Sequence, residues 1–198
     1  MKATTTTYTA CQPKALALRL AAAGFQYPDG AWRRRFAALL AGCRNASAVA
    51  IEEIDGLETE LASSAPDGLE AEHFRLFGPA PACPLDLAHH ISPNPFKQVQ
   101  KIAEFAGFYK AFGVESEGRA DHLPAVLEFM AYLEIKSAHA ATKGWDERRR
   151  IADAAAASLR RDIVSRALSA FSGKLEKAGA AKFYLRLAAL SRSLGGAS

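Results

Sequence analysis

The sequence predicts an all-α fold, a single globular helical domain, on three observations. Apolar residues recur at helical spacing along nearly the whole chain. No stretch alternates apolar and polar residues as a half-buried strand does. After Pro124 no proline appears, so the remainder can run in long helices. The chain has 198 residues, of which 49% are apolar, enough for one domain with a real core. Roughly seven or eight helices are expected over 1–198, with a flexible N-terminus at 1–12 and a frayed end at 195–198.

The first helix is "KALALRLAAAGF" (14–25), rich in Ala and Leu and preceded by Pro13, a good first-turn residue. "QYPDG" (26–30) breaks it, and Asp29 can cap the next helix, which carries Trp32, Phe36, Leu39 and Leu40 at helical spacing. Residues 47–63 place Ile51, Ile54, Leu57 and Leu61 on one face, weakened by Gly56. Asp67 opens "DGLEAEHFRLFG", which ends at Gly78; its His73 is expected to be a satisfied, half-buried histidine. Residues 79–95 read as one proline-rich loop holding five of the nine prolines, and a loop that long in a compact domain tends to be functional or disordered. Residues 95–113 are apolar around most of the circumference, which predicts a buried helix. Helices over 121–141, 144–173 and 178–194 complete the chain.

Composition excludes several classes. No apolar run reaches the ~18 residues of a membrane span, so no stable membrane association is expected. "RRRFAALLAGC" (33–43) has the order of a lipoprotein signal, but its apolar run, 36–41, is too short, and an amphipathic helix is the expectation. Cys11, Cys43 and Cys83 are far apart, without zinc spacing, and point to reduced thiols in the cytoplasm. There is no P-loop, dinucleotide fingerprint or nucleophile elbow. Charge is segregated. Residues 1–43 carry net +5, residues 44–140 net −8, and residues 141–198 net +7. An acidic middle suits a basic ligand and disfavours nucleic acid there, although pairing between helices explains the pattern equally well.

The candidate site is "RADHLPAVLEFM" (119–130). On a helical wheel Leu123, Val126, Leu127, Phe129, Met130 and Leu133 form one apolar face, while Asp121, Ala125, Glu128 and Tyr132 form a separate stripe. One reading makes Asp121 the N-cap of a helix with a solvated face; the other makes Asp121, His122 and Glu128 line a polar groove for a cationic or hydrogen-bonding partner. Catalysis finds little support, because acid–base chemistry needs titratable groups that converge. A di-iron bundle needs paired Glu-x-x-His motifs, and only Glu70 to His73 is present. His89, His90 and Cys83 lack a four-ligand pattern. The expectation is no enzyme, no cofactor and no metal, with a metal-dependent helical enzyme and a nucleic-acid-binding regulator as alternatives.

Several segments resemble one family, the TorD/DmsD/NarJ maturation chaperones of redox enzymes. "LRLAAAGFQYPDGAWRRRF" is similar to its opening helices, "EHFRLFGPAPACPLD" to its "LF" stretch and proline-rich loop, and "RADHLPAVLEFMAYLEIKSAHA" to its "DHL…LEFM" signature. The loop departs from the family pattern, since "CPLDLAHH" lacks its tyrosines and glutamate. The resemblance implies an all-helical cytoplasmic protein, monomer or homodimer, with no reaction of its own. It would hold the apo catalytic subunit of a DMSO-reductase-class molybdoenzyme, cover its twin-arginine signal peptide, and assist insertion of the molybdopterin guanine dinucleotide. It ties partner binding to Asp121 and His122, with Glu128 and Tyr132 on the same helix and Pro84 and Asp86 in the loop.

Overall fold

The computed structural model describes residues 12–46, 50–116 and 118–196. Its elements run α1 (Pro13–Gly24), α2 (Trp32–Asn45), α3 (Ile51–Ser63), α4 (Pro66–Phe77), α5 (Leu87–Ile91), α6 (Pro95–Ala111), α7 (Leu123–Thr142), α8 (Asp146–Leu159), α9 (Ser165–Lys177) and α10 (Lys182–Gly195). A π-helical turn, Arg160–Val164, joins α8 to α9 without a break, so the long C-terminal helix expected there is one rod. The fold is all-α, as predicted, and the one unexpected helix is the short α5 inside the proline-rich segment. The flexible ends expected at 1–12 and 195–198, the start of the third helix at 47–49 and Cys11 lie wholly or partly outside the described residues.

The packing follows from the sequence pattern. α7 is the central rod: Leu123, Val126, Leu127, Met130 and Leu133 are all 0–1% exposed. It lies between α1 and the α8 rod. Glu134 on its outer side pairs with Lys14 at 3.0 Å and Arg160 at 2.9 Å, tying all three together. α1 can pack closely because it is small-sided. Gly24 lies against Leu187 of α10, and a Cβ there would collide with that side chain. The turn after α1 is built as its residues suggest. Asp29 Oδ1 accepts the backbone N–H of Ala31 at 2.9 Å and of Trp32 at 2.7 Å, satisfying the first turn of α2. The Trp32 indole N–H then donates to the Ala23 carbonyl at 2.7 Å, and its ring stacks on Phe36 and meets Phe183 edge-on.

Two expectations are corrected. Ile51 is 54% exposed, so the buried face of α3 is Ile54, Leu57 and Leu61. More consequentially, α6 is not buried all round: only Phe105 and Tyr109 are inaccessible, while Phe96 is 84% and Val99 64% exposed. α6 packs on one side only, so its apolar circumference exceeds what the fold covers.

The asymmetry of α6 sets the first prediction. Phe105→Ala should lower stability by about 3–5 kcal/mol by opening a cavity, whereas Phe96→Ala should leave the denaturant midpoint nearly unchanged. Urea unfolding of both variants checks this; equal losses would mean that the exposed end of α6 is packed in solution.

Candidate functional site

The proline-rich segment is fastened to the start of α7. The Leu87 N–H donates to the Asp121 carbonyl and the Leu123 N–H to the Leu85 carbonyl, both at 2.9 Å, forming a short antiparallel bridge between Asp86 and His122. The Asp121 carboxylate completes the joint. Its Oδ2 accepts the Ala88 N–H at 3.0 Å, in the first turn of α5. Arg119 grips the same carboxylate from outside, Nε to Oδ1 and Nη2 to Oδ2, both at 3.0 Å. Arg119 also reaches Asp86 at 3.2 Å. The Tyr109 hydroxyl of α6 donates to the carbonyl of Ala120, the residue before Asp121, at 2.7 Å, and burial raises the phenol well above its usual pKa.

Asp121 therefore corrects both sequence readings. It is 0% exposed and lines no groove. Nor does it cap its own helix, whose N-cap is His122. It satisfies the N-terminus of α5, a helix 33 residues upstream that sequence spacing gave no reason to expect. Pro84 is also drawn inward; its carbonyl faces His90 Nε2 at 2.7 Å, and it does not border the groove.

The other candidates do come together. A groove of about 960 Å³ is bordered by Asp86, His122, Glu128 and Tyr132. Its opposite wall was not foreseen. Phe25 and Tyr27 follow α1, His73 and Phe77 come from α4, and Val114, Glu115, Ser116, Gly118 and Arg119 lie in the link between α6 and α7. The "QYPDG" turn was legible as a helix break, but nothing local showed that it faces the start of α7. The floor is apolar and aromatic. Tyr109 meets Phe129 edge-on at 4.6 Å, and Phe77 packs edge-on against both Phe25 and His73. The Tyr27 hydroxyl donates to Glu70 at 3.2 Å, holding the rim.

The rim is acidic. Glu115 and Glu128 are exposed on it, and among the described residues neither has an ion-pair partner. Its one bordering cation, Arg119, is already engaged by Asp121 and Asp86. The histidines add no positive charge at neutral pH. Burial lowers the His122 pKa, and the same cause lowers that of His73, whose Nε2 lies 3.1 Å from the Phe25 carbonyl. His73 is thus the satisfied histidine that was expected. Cys83, a buried residue of the loop itself, has its thiol pushed up to about 12 by burial and is not poised as a nucleophile. Among the described residues no three His, Cys, Asp or Glu side chains gather in a way that could hold a metal, and no helix is long and apolar enough to cross a membrane. The arrangement offers a wide apolar trough with unneutralised carboxylates on its lip.

A family model described as nitrate reductase delta subunit matches residues 43–171, more than half of the chain. The chain belongs to the nitrate reductase delta subunit family. That family consists of maturation chaperones of molybdoenzymes and is not a catalytic one. The match takes in α3 to α8 and the first half of α9, hence the bridge at Asp121, the acidic rim and most of the groove floor; the Phe25 to Tyr27 wall lies outside it. No curated protein matches the chain.

Asp121→Ala should cost about 2–3 kcal/mol, less than the ~3–5 kcal/mol of a fully buried pair because the Arg119 side chain stays 48% exposed. A melting temperature equal to that of the parent would show that the loop is held some other way. The pH dependence has a definite sign. His73, His90 and His122 titrate below their usual 6.5 in the fold, mainly through burial. Between the lowered and the usual values the unfolded chain binds more protons, so stability is full above about pH 7 and falls as pH drops through 6.5. Thermal melts from pH 7.5 to 5.5 should show this fall, and His73→Gln should flatten it in part.

Proposed function

We propose that the protein is a cytoplasmic chaperone that holds the apo catalytic subunit of a DMSO-reductase-class molybdoenzyme, through a basic and apolar segment such as its twin-arginine signal peptide. The observation that carries this reading is the groove itself, an apolar, aromatic trough with the unpaired carboxylates of Glu115 and Glu128 on its lip. Arginines would pair with the lip, and the apolar residues after them would cover Phe77, Tyr109 and Phe129. The groove exceeds the size of one side chain and suits several residues of a peptide.

The site residues then divide by role. Asp86, His122, Glu128 and Tyr132 touch the peptide. Asp121 and Pro84 act at one remove by holding the loop that carries Asp86. His122, neutral at pH 7, donates or accepts a hydrogen bond without repelling an arginine. The protein performs no reaction. Covering the peptide delays export while the client folds and receives its molybdopterin guanine dinucleotide, which is the client's cofactor and cargo here. The apolar face of α6, with Phe96 and Val99, offers a further surface for the folding subunit.

The test is calorimetric titration of the full chain with a synthetic twin-arginine signal peptide. Glu115→Gln with Glu128→Gln should weaken binding by roughly tenfold or more without shifting the melting point, since both residues are exposed and unpaired. Unchanged affinity in that variant would place the peptide elsewhere.

A further inference from the structure

The groove has a continuation of opposite charge. A second cleft of about 320 Å³ lies where the end of α6 and the second half of α7 meet the start of α8. Phe112, Lys136, His139, Trp145, Arg148 and Ile151 border it. Two of them are cations that, among the described residues, have aromatic rings and no carboxylates as partners. The Lys136 ammonium lies 5.2 Å over the Tyr132 ring, and the Arg148 guanidinium 4.5 Å over the Trp145 ring. The acid Asp153 is taken up by Arg149 at 3.6 Å and by Ser137 at 2.5 Å. Trp145 and Ile151 are 43% and 55% exposed, more apolar surface than a helix start needs to show.

The two clefts share their walls. Glu128, Tyr132, Lys136 and His139 follow one another along one stripe of α7. On the facing side the chain passes from Phe112 in one cleft to Val114 in the other. At ~1.5 Å rise per residue, Lys136 lies roughly 12 Å along the helix from Glu128. An extended peptide advances ~3.3 Å per residue and covers that distance in about four residues.

We propose that both clefts take one extended client peptide with a dipolar charge pattern. Its basic residues sit at Glu115 and Glu128. An acidic residue about four positions away sits between Lys136 and Arg148, with a neighbouring apolar side chain against Trp145 and Ile151. This rests on the peptide-binding reading above and adds what that reading does not contain: the direction of the peptide and a requirement for an acid at a set distance. A carboxylate here gains two charge-assisted contacts from cations that meet no acid in the fold.

Two acetylated peptides test it by calorimetry on the full chain: Arg-Arg-Gly-Leu-Phe-Glu-Leu, and the same peptide with Gln in place of Glu. The Glu peptide should bind about three- to fivefold more tightly and perturb tryptophan fluorescence, since Trp145 is exposed while Trp32 is 2% exposed. Lys136→Glu with Arg148→Glu should reverse the order of the two peptides, a readout in which the effect of the new acids on the shared Arg-Arg cancels. Both side chains are exposed, and Lys136→Gln provides a milder variant if the double reversal does not fold. Equal affinities of the two peptides for the parent chain, or an order that survives the charge reversal, overturn the dipolar peptide and leave the groove reading standing. Binding of neither peptide overturns both.

Discussion

The carboxylate of Asp121 is the joint on which the site depends. It is fully buried, and its position is tolerable only because each oxygen is satisfied, one side by the Ala88 N–H and both by the Arg119 guanidinium. That set of contacts joins two segments 33 residues apart, the proline-rich loop and the link that runs from α6 into α7. The packing of α5 against α9, with Leu87 and Ala88 buried, seats the loop, and the carboxylate fixes Asp86 beside His122. The backbone bridge alone is two hydrogen bonds long and would be marginal. Proline in the first turn of α7 helps by removing an amide that would otherwise need a partner at a crowded point.

From that joint the electrostatics of the groove follow. Arg119 borders the groove, and it is spent on Asp121 and Asp86, so it does not neutralise Glu115 or Glu128. Burial keeps His73 and His122 uncharged at neutral pH. The trough therefore presents negative charge over an apolar floor, and it does so without any unpaired charge being buried. The structural cost falls on Asp121, deep in the fold, while the binding charges stay solvated until a ligand arrives. This division lets a chaperone keep its fold when it is empty.

Much of this was legible in the sequence and some was not. Every helix but α5 follows from apolar spacing and from Gly and Pro stops, because burial on a helical face leaves a local periodic trace. The stripe holding Glu128 and Tyr132 was visible on the same basis. Asp121 was misread because an acid just before a helix has a local explanation, the cap, while its real partner is a backbone amide 33 residues away. α5 was missed because five residues carry no periodic signal and prolines surround them. α6 was misjudged for a different reason: its apolar residues are real, but composition does not say whether the surface they cover faces a core or a partner. The aromatic wall at Phe25 to Tyr27 had no local signal of function at all, since its role depends on α4 and α7 standing opposite.

The most direct measurement is amide hydrogen exchange of the full chain with and without a twin-arginine signal peptide at saturation. The account predicts added protection over 25–27, 85–88, 114–123 and the α7 amides through 139, with little change in α9 and α10 away from the groove. Protection confined to α9 and α10, or none over 114–123, would contradict the claim that the trough closed by Asp121 is the binding surface.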